Sequence, residues 1–202
     1  MPQVFLTADW HLGEERFELM QRPFKDTTEY ADVLIQRHNS RVGKDDFVYV
    51  IGDALYQKAD PAIWLPAIGE MKGRKLLIRG NHDKSFSDGQ FAPYFDQIVE
   101  DGGGIDIDFG DLPCYLTHYP TQGKPDRFNL VGHIHGIWKF QLNSLNVGVD
   151  VHHFYPVDAK ELPFFFKAIG QYYDEDAWAA YHPINADYRA TRGKKSTYFQ
   201  KG

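Results

Sequence analysis

One cysteine, Cys114, is the chain's only thiol, so no internal disulfide can form. That usage fits a reducing compartment, and a cytoplasmic location is the expectation. Cys114 lies in the apolar stretch LPCYLTH, where a buried structural thiol is expected rather than a nucleophile. Long hydrophobic runs are also missing: FVYVI (47–51) and FFF (164–166) fall far short of the roughly 20 residues that a membrane-spanning helix needs. The amino-terminal MPQVFLTADW has no basic segment leading into a long apolar one and does not read as a signal peptide. Positive charge is not in excess either; a net charge of −6 over 202 residues argues against a long nucleic-acid footprint. The GGG at 102–104 is not followed by Lys-Ser/Thr and reads as a turn, not a phosphate loop. No repeat, low-complexity tract or interior linker divides the chain, so one domain is expected.

Histidine is plentiful, with nine copies, and their positions carry the information. QVFLTAD (3–9) reads as a buried strand ending in a carboxylate. DTTEYADVLIQRHNSRV (26–42) has helical spacing, with Asp26 or Thr27 as its N-cap. DDFVYVIGD (45–53) is a second strand, PAIWLPAIGEM a short helix with Pro61 near its start, and RKLLIRG a third strand. FDQIVED, GIDIDFG, LPCYLTHYP and FNLVGHIHG read as further strands, and WKFQLNSLNVGVD as a strand pair turning near Asn143-Ser144. DAKELPFFFKAI (158–169) reads as a last helix, although Pro163 interrupts the pattern. Strands and helices alternate early and strands dominate later, which predicts an α/β chain built on more than one sheet.

Five strand ends carry similar cargo: Asp9-x-His11, Gly52-Asp53, Gly80-Asn81-His82-Asp83, His118, and Gly132-His133-x-His135. In α/β folds, side chains that bind ligands converge at the carboxyl ends of strands. Asp, Asn and His offer oxygen and nitrogen donors suited to divalent first-row ions. With His82 set aside, seven candidate ligands remain: Asp9, His11, Asp53, Asn81, His118, His133 and His135. Seven is more than one tetrahedral ion takes, and fits two ions sharing a bridging carboxylate. In the pairs Asp9/His11 and His133/His135, an extended backbone would send both side chains to one face. Each motif alone is weak; all five at strand ends are strong together.

In this order, DWH, GD, GNHD, THYP and GHIH resemble the signature of the calcineurin-like metallophosphoesterase superfamily, over about Phe5 to Pro156. RPF (22–24), DDFVYVIGD, LTHYP and NVGVD look more narrowly like a small bacterial and phage branch of predicted phosphoesterases. The resemblance implies a four-layer α/β/β/α sandwich of two packed, mostly mixed β-sheets flanked by helices. The domain is expected over residues 1–170, with 171–202 as an aromatic-rich extension expected to pack on the same domain, and the resemblance carries a ligand set with it. It assigns Asp9, His11, Asp53 and His135 to one metal, and Asp53, Asn81, His118 and His133 to the other. Manganese is the expected ion, with iron, zinc or nickel as alternatives. The resemblance leaves His82 facing the substrate as general acid or phosphoryl donor, with Asp83 orienting the imidazole and favouring its protonated form. The implied reaction is hydrolysis of a small, nucleotide-like phosphodiester by direct attack of a metal-bridging hydroxide. A phosphomonoesterase, and less readily a non-catalytic interaction scaffold, are the alternatives. No membrane or long nucleic acid is expected as partner, and a homodimer is open.

Other residues carry weaker expectations. Arg22 either grips a substrate phosphate or faces solvent before the proline, and Tyr119 either lines the pocket or packs. Asp150 is either a support for the metal ligands or a turn carboxylate. His152 and His153 are expected in surface or packing roles, and His38 and His182 in solvent.

Overall fold

Neighbouring residues along the early strands bury opposite faces, as a pleated backbone requires. Phe5, Val48, Val50 and Leu77 enter one hydrophobic core, whereas Leu6, Ile51 and Ile78 enter another. Each of these strands is therefore covered on both sides, the condition under which parallel sheets are stable. The computed structural model describes residues 2–172.

The first sheet holds β1 (Val4–Thr7), β2 (Phe47–Ile51), β3 (Arg74–Ile78) and β4 (Gln97–Val99), all parallel. The short β10 (Val157–Asp158) pairs antiparallel with β1, giving the order β10-β1-β2-β3-β4. The second sheet has the order β5-β6-β7-β9-β8. Its members are β5 (Gly104–Phe109), β6 (Leu112–Thr117), β7 (Phe128–Val131), β8 (Phe140–Gln141) and β9 (Ser144–Asn146). Here β6, β7 and β9 run parallel and the two outer strands antiparallel. The chain is thus an α/β fold with two mixed sheets flanked by helices, as the sequence predicts. Leu116, Leu130, Leu145 and Cys114 meet Leu6, Ile51 and Ile78 in one cluster, so Cys114 is the expected structural thiol.

Helix α2 (Thr27–Arg41) starts where the Asp26 side chain accepts the Glu29 N–H, and buries Tyr30, Ala31, Leu34 and His38. His38 is not in solvent: its Nε2 lies 2.9 Å from the Lys72 carbonyl, beneath the loop after α3 (Pro61–Glu70). Asp60 caps α3, and Leu65 and Ile68 bury its inner face. Helix α5 (Leu162–Tyr172) follows a 3₁₀ turn over Ala159–Glu161. Pro163 therefore sits in its first turn, where a missing N–H costs nothing. Its Phe165 and Phe166 rings lie 5.7 Å from Phe140 and 5.3 Å from Phe128. Two four-residue helices, α1 (Phe17–Met20) and α4 (Asp88–Phe91), were not expected from the sequence. His152 is a packing residue, its Nε2 2.8 Å from the Asn146 carbonyl, and His153 is exposed. His182 and nearly all of the aromatic extension lie outside the described residues.

Candidate metal centre

The parallel order of β1, β2 and β3 brings the loops carrying Asp9, Asp53 and Asn81 to one edge. The ends of β6 and β7 bring His118 and His133 to the same place. Backbone bonds from Asp9 N–H to the Gly52 carbonyl (3.0 Å) and from His11 N–H to the Asp53 carbonyl (2.9 Å) zip the first two loops together. Asp9 accepts the His133 N–H at 3.0 Å, which ties the first sheet's loop to the second's.

The backbone here is not extended. Asp9 (φ 59°), His11 (46°), Asp53 (54°), His133 (74°) and His135 (48°) all lie in the left-handed region. The expectation that strand alternation would align the x-separated pairs is overturned; tight turns past the strand ends aim these side chains. Such conformations are uncommon for residues other than glycine, and cluster at functional sites where surrounding contacts enforce them.

The side chains form overlapping clusters: Asp9–His11–His135, Asp53–His118–His133 and His11–Asp53–His82, with ligand atoms within 4.8 Å of one another in each. Asp53 Oδ2 lies 3.3 Å from His11 Nε2 and 3.4 Å from His118 Nε2, so one carboxylate oxygen borders both halves. Its other oxygen accepts the His82 N–H at 2.8 Å. Asn81 Oδ1 lies 3.3 Å from His118 Nε2 and 2.9 Å from His133 Nδ1. The seven expected ligands are thus brought together.

The donor set fits divalent cations on three counts. Both ring nitrogens of His11 are buried without a hydrogen-bond partner, since the 3.3 Å approach to Asp53 is not aligned for donation. An orphaned imidazole is costly unless something accepts its lone pair. His118 and His135 each use Nδ1 on a supporting acceptor, the Ile51 carbonyl at 2.9 Å and Asp150 Oδ2 at 2.8 Å. That leaves Nε2 directed inward, the usual arrangement for ligating histidine. Glycines, finally, clear space for the donors. A Cβ on Gly80 would stand 2.2 Å from Asp53 Oδ1, and one on Gly52 would stand 2.1 Å from His118 Nδ1. Gly80 is not in the left-handed region, so what it supplies here is room rather than an unusual backbone conformation.

Electrostatics follow from crowding in a dry site. Burial pushes Asp9 up to about 6 and His11 down to about 4. Asp53 stays well below the usual carboxylate range because, against the cost of burial, the His11 and His118 imidazoles stabilise its anion. His118 is raised to about 9 although burial opposes it, with Asp53 and Asp9 favouring its cation. His135 is likewise raised against burial, by Asp150.

A match to the calcineurin-like phosphoesterase family model extends over residues 2–185. The chain belongs to that family. The gene 66 protein of Mycobacterium phage L5 is 36% identical over 84 residues, 41% of this chain and 41% of the phage protein. This chain thus matches about two fifths of that relative's length. An uncharacterised protein of Methanocaldococcus jannaschii is 31% identical over 168 residues, 78% of this chain and 87% of that one. A crystal structure of an Aquifex aeolicus protein of unknown function has the same fold, with a TM-score of 0.65, 20% identity, and coverage of 81% of this chain and 99% of that one. The histidine–aspartate clusters form candidate metal-binding sites of the kind typical of this family.

Two expected roles within the site are corrected. The Asp83 carboxylate does not touch the His82 ring. It accepts the backbone N–H groups of Asp53 (2.7 Å), Ala54 (3.0 Å), Leu55 (3.3 Å) and Gly80 (2.9 Å), locking two ligand loops together. His82 receives the Gln57 N–H at Nδ1 (3.3 Å), so in its neutral form the proton sits on Nε2. Burial lowers its pKa, against the pull of Asp53, so the imidazolium is not favoured. Arg22 reaches neither solvent nor the cavity. It is 4% exposed, bonded through Nε and Nη2 to Asp150 (2.7 and 3.0 Å), and donates to the Asp9 and Trp10 carbonyls. Asp150, bonded to both Arg22 and His135, supports one of the expected ligands. Tyr119 packs edge-on against His118 and His133 and donates to Asp101 at 2.6 Å.

A cavity of about 520 Å³ opens over the centre, lined by His11, His82, His133 and His135 and by Arg16, Leu19, Met20 and Ile137 among others. The last four went unnoticed in the sequence. Arg16 is fastened to buried Glu14 at 2.7–2.8 Å, and an EER triplet by itself looks like ordinary surface charge.

Proposed function

We propose that this chain hydrolyses the phosphodiester of a small, nucleotide-like substrate, with Asp9, His11, Asp53 and His135 holding one divalent cation and Asp53, Asn81, His118 and His133 a second, most readily manganese. The carrying observation is Asp53 Oδ2, which lies within 3.4 Å of a histidine from each half. Bound there, divalent cations supply Lewis acidity toward phosphoryl oxygen and a lowered pKa for water. The chain's own contribution is orientation and proton handling. Asp9, His11, Asp53 and His118 are almost wholly buried, whereas His82, His133 and His135 are more open, so substrate approaches over the latter three. His82, its Nδ1 occupied by the Gln57 N–H, presents Nε2–H as donor to a phosphoryl or departing oxygen. Proton donation of that kind is worth roughly 10²–10⁴-fold. A phosphate monoester would meet the same donors, and the diester reading rests on the presence of both His11 and His82 beside the candidate metal ligands.

The test is turnover of bis-p-nitrophenyl phosphate against p-nitrophenyl phosphate in manganese-loaded protein. Wild type should favour the diester. His82→Ala should keep its manganese and lose turnover, whereas Asp53→Ala should lose both. Undiminished activity in His82→Ala, or full metal content in Asp53→Ala, would overturn these assignments.

A further inference from the structure

Two aliphatic walls stand above the metal centre. Leu19, with Met20 beside it, belongs to α1, whereas Ile134 lies between the two histidines of the His133-x-His135 motif and Ile137 just after them; all four line the cavity. Leu19 is 72% exposed and Ile137 79% exposed. Large apolar side chains held in water beside a site gain free energy when a ligand covers them.

Both walls are built rather than loose. Helix α1 is pinned below by buried Phe17 and closed by Gln21 in the left-handed region, whose N–H bonds the Glu18 carbonyl. The next residue, Arg22, bonds the Phe17 carbonyl through its N–H and Asp150 through its guanidinium. The opposite wall is held by Asn146 Nδ2, which donates to the carbonyls of His135 and Trp138 at 2.8 Å each. Its turn closes with the Ile137 N–H on the Ile134 carbonyl at 3.0 Å. Because Asp150 holds Arg22 and His135 together, the two walls keep a fixed position relative to the metal ligands. A bare phosphate over His82 would leave both walls wet, and the volume falls within the range of about 300–1,000 Å³ typical of small-molecule sites.

We infer that this slot receives an apolar ring carried by the substrate's ester group, seated between Leu19–Met20 and Ile134–Ile137 while the phosphoryl group lies over the histidines. The inference rests on the proposed hydrolase reading for the position of the phosphoryl group. A ring touching aliphatic carbon on both faces should raise affinity on the order of tenfold over a methyl group at the same place.

The test is calorimetric binding of phenylphosphonate and methylphosphonate to manganese-loaded protein, which requires no turnover. Wild type should bind the phenyl compound about tenfold more tightly, and the ratio should fall toward one in the Leu19→Ser/Ile137→Ser double variant. Both positions are at the surface, so the variant should fold, and its melting temperature checks that. A wild-type ratio near one, or a preference that survives in the double variant, would overturn the inference. A phenyl preference lost in the double variant, in a protein that cleaves no phosphoester, would support the slot while removing the diesterase reading. Diester turnover without a phenyl preference would do the reverse.

Discussion

Arg22 and Asp150, 128 residues apart in sequence, are joined by two hydrogen bonds of 2.7 and 3.0 Å inside the protein. Asp150 passes that constraint to His135 Nδ1 at 2.8 Å, and Arg22 also holds the Asp9 carbonyl at 2.7 Å. One guanidinium thereby positions proposed ligands from both sheets. Asp150→Asn weakens the charge-assisted bonds while keeping the shape. Manganese affinity should fall about 10–100-fold, as measured by titration calorimetry, with the fold retained by circular dichroism.

Asp83 acts on the backbone, so its removal should be read in stability before catalysis. Asp83→Ala leaves four buried N–H groups without their acceptor. A buried donor left unsatisfied costs about 1–3 kcal/mol, and the sum should appear as a loss of about 3 kcal/mol or more in urea unfolding. If Asp83 served only to steer His82, stability would change little.

Metal loading should release protons. His118, raised to about 9, is an imidazolium at neutral pH before metal enters, and a ligating imidazole must be neutral. Affinity for manganese should therefore climb as pH rises from 7 toward 9. Calorimetry at pH 7 in buffers of different ionisation enthalpy should report net proton release, and uptake would contradict the assignment.

Acid should weaken the fold through two buried histidines outside the candidate ligand set. Burial lowers His38 and His152 to about 4, against an ordinary value of 6.5. Below 6.5 the unfolded chain binds protons that the folded chain refuses, so stability is full above 6.5 and falls as pH drops toward 4. Each should contribute about 2–3 kcal/mol to that loss. Urea midpoints at pH 7 and pH 4.5 should show the drop, and it should shrink in His38→Gln, whose amide can still reach the Lys72 carbonyl.

Strand identity was legible because apolar runs in the early strands ended in the same few polar residue types. The N-cap at Asp26 and the hairpin turn near Asn143 were legible because capping and turn chemistry are local. The short helices α1 and α4 were not, since four residues carry no periodicity. Arg22 and Asp83 were misread for one reason. Both have the composition of site residues, yet each spends its charge on partners that sequence distance conceals.

The sequence by itself determined the inventory: which donors exist, their order, and that they stand at strand ends, because motif chemistry is written in contiguous residues. Only the tertiary structure decided what each donor faces. Parallel pairing of β1, β2 and β3 and the packing of the two sheets bring loops from residues 9 to 150 within bonding distance. Five of the proposed ligand residues then take left-handed turns that alternation along a strand would not foretell. Whether a carboxylate meets an imidazole, a guanidinium or a row of amides is settled by that convergence.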